Sequence, residues 1–227
     1  LLSDAQDEAL HFYHFDFSWS HSVAQHVDNM LTGITSASTD TPVVPLPEPE
    51  PDTDGSVSWS ADSYWAVGSE RGMAYRLDSS LQYSGDTIDL KQALNNGPIG
   101  QIHWGRMQPR DLVRDQQGRW YVLDIGYSKR VYRFSPDFTF DGFWFDVAAQ
   151  ESNPEGLAVA ADGSVLIGGR NKRLSVYDST GTYTTSIDLQ DQLTNANSQI
   201  TGIQQGHDGR WYVLDSYDDQ VHAYDTA

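Results

Sequence analysis

Trp120-Tyr-Val-Leu-Asp124 and Trp211-Tyr-Val-Leu-Asp215 are the same five residues at two places in a chain of 227. Each run is short and apolar, and each follows a turn: Gln117-Gly118-Arg119 before the first, Asp208-Gly209-Arg210 before the second. Aromatic and β-branched runs opened by glycine-containing turns predict β-strands. Ser164-Val-Leu-Ile-Gly168 after Asp162-Gly163, and Tyr64-Trp-Ala-Val-Gly68 after Asp62-Ser63, extend the pattern to four.

Working outward from these runs, a second strand precedes each turn: Val57-Ser-Trp59, Leu112-Val113, Gly156-Leu-Ala-Val159 and Thr201-Gly-Ile203. A third follows: Ala74-Tyr-Arg-Leu-Asp78, Val131-Tyr-Arg-Phe134, Leu174-Ser-Val-Tyr-Asp178 and Val221-His-Ala-Tyr-Asp225. A fourth carries an apolar-Asp-apolar triplet: Ile88-Asp89-Leu90, Phe145-Asp146-Val147 and Ile187-Asp188-Leu189. Four antiparallel strands recurring every ~44–56 residues describe the blades of a propeller. No single blade buries both of its faces, so the repeats must pack radially. The expectation is an all-β chain, a small β-propeller of about four four-stranded blades over residues 56–227. Leu90-Lys-Gln-Ala-Leu94 and Leu189-Gln-Asp-Gln-Leu193 read as single helical turns between blades.

Asp162-Gly-Ser-Val-Leu-Ile and Gly118-Arg-Trp-Tyr-Val-Leu-Asp124, with Lys129-Arg130-Val-Tyr-Arg-Phe134 downstream, resemble NHL repeats. The usual form is a turn with Gly, an apolar strand ending in Asp, then a loop to Arg and a further apolar strand. Gly68 and Gly168 stand where the resemblance expects the strand-end Asp, and Gln220 where it expects Arg. It therefore implies an Asp–Arg pairing for Asp124 with Arg130 alone. It speaks for architecture far more than for activity.

The last repeat has three strands and then reaches Ala227, two residues past Asp225, without the apolar-Asp-apolar triplet. That triplet occurs once more near the start, as Phe15-Asp16-Phe17 within His11-Phe-Tyr-His-Phe-Asp-Phe-Ser-Trp19. Read as one strand, the run puts Phe15, Phe17 and Trp19 on one face and Asp16 on the other. Phe15, Asp16, Phe17 and Trp19 are thus expected to supply the outer strand of the last blade, beside Val221, Ala223 and Tyr224. An unpaired edge invites association, so the completion matters. Residues 1–30 form this closing or donor region, and residues 31–55 a Pro-rich acidic linker. As polyproline II, its stretch from Thr39 to Asp54 reaches some ~45–50 Å. Closure within one molecule and donation to a neighbour both fit. The second is heterologous and builds a filament.

The net charge of −18 and a pI near 4.4 exclude nucleic acid and anionic lipid as partners. No stretch nears the ~18 apolar residues of a membrane-spanning helix. Cysteine is absent, so there are no disulfides or thiolate metal sites. Leu1 opens the chain without a basic or apolar leader, which reads as a mature secreted product, extracellular or periplasmic. Glu50, Asp52 and Asp54, followed by Gly55, resemble the start of a calcium loop, and Ca2+ is the cation such oxygens would take. The usual closing Glu is replaced by Ala61. Seven histidines are scattered and make no compact transition-metal site. Asn153-Pro-Glu155-Gly156-Leu resembles the Pro-Glu-Gly-Leu entry to an inner strand of metal-dependent propeller lactonases. The other ligands of that family do not stand out, so the chain reads as no enzyme. Three functions of different class remain. The first is an extracellular assembly subunit that associates with itself through its N-terminal strand. The second is a monomeric module for calcium or for an extracellular protein or sugar, with Trp59 and Trp104 as an aromatic platform. The third is a metal-dependent hydrolase.

Overall fold

The computed structural model describes residues 2–4, 9–13, 19–24, 31–36, 64–69, 71–78, 83–99, 105–126, 129–206 and 209–225, the first four of these segments as backbone. The N-terminal strands β1 (Leu2–Asp4), β2 (Ala9–Tyr13) and β3 (Trp19–Ala24) form a three-stranded antiparallel sheet in the order β1-β2-β3. Three four-stranded sheets follow. The first holds β4 (Leu31–Ser36), β5 (Tyr64–Gly68), β6 (Met73–Leu77) and β7 (Tyr83–Asp89), and leads into the helix α1 (Leu90–Asn95). The second holds β8 (Pro109–Arg114), β9 (Trp120–Asp124), β10 (Arg130–Phe134) and β11 (Phe140–Asp146). The third holds β12 (Pro154–Val159), β13 (Val165–Gly169), β14 (Arg173–Tyr177) and β15 (Tyr183–Asp188). The last sheet has three strands, β16 (Ile200–Gln205), β17 (Trp211–Asp215) and β18 (Gln220–Tyr224).

The four sheets from β4 to β18 are the four repeats read from the sequence, arranged as a small β-propeller. Their first strands, β4, β8, β12 and β16, are neighbours in that order, and β1 lies against both β4 and β16. The N-terminal sheet therefore stands in the ring between the last repeat and the first. The second strand of each repeat is buried on both faces, because a neighbouring sheet packs on either side. Between the first two repeats, Trp120 stacks on Phe138 with ring centroids 4.9 Å apart and meets Trp65 edge-on at 6.1 Å. Its indole N–H donates to the Pro136 carbonyl at 3.1 Å. Trp211 sits in the core between the last two repeats. Both tryptophans are packing residues.

The structure corrects the reading of the strands in three places. The innermost strand of the first repeat is Leu31–Ser36, which the reading had placed in the linker, and not Val57–Trp59, which lies outside the described residues. Leu31-Thr-Gly-Ile34 matches Ile200-Thr-Gly-Ile203 of β16, and each holds a bulge within this stretch, at Gly33 in the first and at Thr201 in the second. His11 to Trp19 is not one strand: Tyr13 ends β2 and pairs with Trp19, which opens β3. The position matching Asp124 and Asp215 is Gly169, not Gly168, since Pro154 faces Gly169 where Pro109 faces Asp124.

That last position explains how consecutive sheets are tied. The Asp124 carboxylate accepts from Gln108 N at 2.6 Å and Gly126 N at 3.1 Å. Asp215 does the same with Gln199 N and Tyr217 N, both at 3.0 Å. In the third repeat Glu151 takes over, accepting from Asn153 N at 2.9 Å and Asn171 N at 3.2 Å. A Cβ on Gly169 would fall 2.7 Å from the Glu151 carboxyl carbon and 2.1 Å from the Asn153 carbonyl, so the glycine leaves room for the substitute. Truncating Glu151→Ala removes the acceptor of two part-buried backbone N–H bonds and is expected to cost about 1–2 kcal/mol. Glu151→Gln keeps one acceptor and should lose roughly half of that; urea unfolding of the three proteins reads the difference.

Candidate interaction edge

Strand β18 pairs on one side with β17, from Trp211 opposite Tyr224 to Asp215 opposite Gln220. Among the described residues no strand pairs with its other side. In the complete sheets the third strand is covered by a fourth: β6 by β7, β10 by β11 and β14 by β15. The burial follows. Val131, Tyr132 and Phe134 of β10 are fully buried, as are Ala74 and Leu77 of β6 and, nearly so, Leu174 and Tyr177 of β14. The matching Val221, His222 and Tyr224 of β18 are only half-buried, and Ala223 is exposed. Leaving a valine and a tyrosine half out of water forgoes roughly 1 kcal/mol apiece.

The last sheet and the loop entering it also hold polar atoms that lack a partner. Ser198 Oγ, Thr201 Oγ1, Asp215 Oδ2 and the Tyr224 hydroxyl are each buried without a hydrogen bond. Burial, with the Asp215 charge second, pushes the Tyr224 phenol up from its ordinary value.

The three complete sheets show what a fourth strand brings. Its aspartate stands opposite the first residue of the third strand: Asp89 faces Met73, Asp146 faces Arg130 and Asp188 faces Arg173. The preceding apolar residue faces the second: Ile88 with Ala74, Phe145 with Val131, Ile187 with Leu174. The following one, Leu90, Val147 or Leu189, is buried, and its N–H donates to the carbonyl of Gly72, Lys129 or Lys172 at 3.0–3.1 Å. Those three residues take positive φ in the hairpin joining second and third strands, and Asp219 takes it at the same place in the last sheet, with φ of 51°. Ion pairs add to the seam. Arg130 Nε donates to Asp146 at 2.8 Å and Arg133 Nε to Asp141 at 2.6 Å, and the two guanidiniums lie 4.1 and 4.2 Å over the rings of Trp144 and Phe143. Arg173–Asp188 and Arg76–Asp86 are further pairs, each at 3.2 Å. The expected pairing partner of Arg130 was Asp124. Arg130 bonds instead to the outer strand, while Asp124 caps backbone N–H groups.

The structure therefore gathers Val221, Ala223 and Tyr224 on one open edge. Of the expected donor residues, Trp19 begins β3, and Phe15, Asp16 and Phe17 lie outside the described residues. So do Glu50, Asp52 and Asp54 of the calcium reading. Among the described residues no three acidic or histidine side chains gather as a metal set. The sequence already marks Gln220 as standing where the repeat carries Arg; it passes over Asp219, although aligning it with Lys129 marks that residue too.

Near the first strands, Glu155 of the Pro-Glu-Gly-Leu stretch is engaged by Arg110 of the adjacent β8. Asp111 beside it accepts from Leu112 N and from Leu157 N of β12, both at 2.8 Å, and so joins two sheets. Burial outweighs these bonds and pushes its carboxyl up to about 7.

No protein-family model matches the chain, and no curated protein does. Solved structures do. The WD40 β-propeller domain of Doa1 is 12% identical, with a TM-score of 0.52 over 98% of this chain and 62% of that one. Chaetomium thermophilum Raptor is 10% identical, with a TM-score of 0.50 over 98% of this chain and 18% of that one. A streptogramin B lyase, 14% identical, matches 73% of this chain and 51% of its own, with a TM-score of 0.47. The chain spans about half of the length of the lyase and about three-fifths of that of the Doa1 domain. The likeness to Doa1 and Raptor is one of fold: this is a β-propeller.

Asp111 makes a pH prediction. Its carboxyl holds a proton more tightly folded, near 7, than unfolded, near ~3.9, so its contribution to stability is greatest in acid and declines as pH rises through 7. The melting temperature should rise between pH 8 and pH 5.5, and Asp111→Asn should shrink that rise, as scanning calorimetry at both values would show.

Proposed function

We propose that the chain is a propeller subunit for protein association outside the cell, whose open edge at β18 accepts an extended strand from a second copy. The observation that carries this reading is the partial exposure of Val221, His222 and Tyr224 at positions buried in the three complete sheets. A strand laid there would pair the free backbone and cover the apolar strip, which is how edge addition gains both affinity and specificity.

The donor that the sequence supplies is Phe15-Asp16-Phe17, which repeats the outer-strand triplet outside the four repeats. The strands on either side of it, β2 and β3, pair with each other, so donation exchanges a hairpin between subunits. Strand exchange of this kind is heterologous and runs on as a filament. Opening one sheet to complete another also makes assembly slow, and warming should speed it. The repeats themselves belong, on the motifs of the second and third, to the NHL type.

Electron microscopy and light scattering of the chain at rising concentration test the reading. Filaments are expected, and faster on warming. Val221→Lys sets a charge in the apolar strip and should abolish them while shifting the monomer's stability by no more than about 0.5 kcal/mol. Single discs at every concentration, or undiminished filaments from Val221→Lys, would contradict it.

A further inference from the structure

We propose that Asp215, Ser198 and Thr201 hold a monovalent alkali cation such as Na+, where the loop entering β16 meets the end of β17. The site is independent of the strand-addition reading. It lies beside Ile200, which faces Asp215 and packs in the core between the last two repeats.

Backbone and side-chain bonds fix the place. Ser198 N donates to the Asn195 carbonyl at 3.1 Å, and Asn195 Nδ2 donates to Asp218 of the following hairpin at 2.9 Å. Ser216 N donates to the Gln199 carbonyl at 3.1 Å, and Gln199 N returns a bond to Asp215. The carboxylate is thus held by one oxygen, Oδ1, which takes Gln199 N and Tyr217 N. Its second oxygen, Oδ2, is buried without a hydrogen bond. Register brings two hydroxyls to the same neighbourhood. Ile200 pairs with Asp215 and Gly202 with Leu214, so Thr201 is the bulged residue and doubles with Ile200 opposite the aspartate. Ser198 immediately precedes Gln199. Ser198 Oγ and Thr201 Oγ1 are also buried without a hydrogen bond. Ser198 is 2% exposed and Asp215 0%.

Water alone could satisfy the hydroxyls, but it brings no charge. A buried carboxylate is ordinarily paired with a cation or bound to a metal. Asp111, Asp115, Glu151 and Glu155 are buried acids that follow this rule. Arg110 stands by Asp111 and engages Glu155, Arg119 bonds to Asp115 at 2.6 Å, and the Lys129 charge favours the Glu151 carboxylate. Among the described residues Asp215 has no such partner. Arg170 reaches the same loop but donates to the Gln199 side chain at 3.2 Å. In the second repeat the positions of Ser198 and Thr201 are held by Met107 and Arg110, one apolar and one cationic. The last repeat has two oxygens in their stead. Oxygen ligands select a hard cation, and a lone carboxylate selects a single positive charge. Ca2+ gathers several carboxylates, and no three acidic side chains come together among the described residues.

Urea unfolding of the native chain at constant ionic strength, with choline chloride replaced stepwise by NaCl, tests the site. Choline screens the charge of −18 equally but is too large for a buried position. A saturable, Na+-specific gain in stability is expected. Ser198→Ala and Thr201→Val leave the net charge unchanged, and each should weaken Na+ about 5-fold, the loss of one modest contact. Asp215→Asn keeps an acceptor for the two backbone N–H groups and should abolish the Na+ response. Equal stability in the two salts would overturn the cation, with water left as the partner if the hydroxyl variants are nonetheless destabilised. Thr201→Val more stable than the native chain in every salt would overturn the site itself, because its hydroxyl would then be an unmet polar group. A Na+ response undiminished in all three variants would place the ion elsewhere and equally overturn the proposal.

Discussion

Burial of the third strand is the constraint on which the sheets depend, because its apolar side chains leave water only when a fourth strand lies over them. The complete sheets meet it three times with the same parts: an aspartate at the start of the third strand, an apolar residue beside it, and a buried residue whose N–H closes on the hairpin carbonyl. The geometry is held by a hairpin with a left-handed residue at Gly72, Lys129 or Lys172. Asp219 reproduces that hairpin in the last sheet. On the proposed reading, an edge shaped this way, with partly exposed Val221 and Tyr224, would lower the cost of ordering a strand laid on it.

A second constraint acts at the opposite side of each sheet. The chain entering β8, β12 and β16 has backbone N–H groups that a buried carboxylate satisfies. Asp124 and Asp215 do so from the end of the second strand, and Glu151 does so from the preceding loop. The carboxylate is thus fixed by the N–H groups it serves rather than by its place in the repeat. Asp111 extends the same logic across a junction, accepting from two neighbouring inner strands. Together these bonds define the ring's inner side by hydrogen bonding and leave its outer edges to strand pairing.

The sequence made the repeat legible because each strand keeps a fixed distance from a glycine turn and a recurrent apolar run. Val165 to Gly169 was misplaced by one residue since Gly168 and Gly169 are alike in sequence and only pairing with Pro154 separates them. Leu31–Ser36 was missed for another reason: its partner Tyr64–Gly68 lies across an intervening acidic, proline-rich stretch, and that composition hid the shared Thr-Gly-Ile. The alternation from His11 to Trp19 suggested one strand, yet a period of two does not show where a chain reverses, and Tyr13 pairs with Trp19. The acceptor half of the candidate edge, Val221 to Tyr224, was readable by counting strands. The Gln220 that replaces an Arg was readable too, whereas Ala223 gains meaning only beside Arg76 and Arg133, which occupy its position in two complete sheets and pair with Asp86 and Asp141.

Amide hydrogen exchange across β18 tests the central claim most directly. In dilute protein the outward-facing amides of Gln220–Tyr224 should exchange far faster than those of Arg130–Phe134 in β10, and slow down as concentration brings subunits together. Equal protection of the two strands in the dilute monomer would contradict the account, since it would mean that the last sheet is already complete.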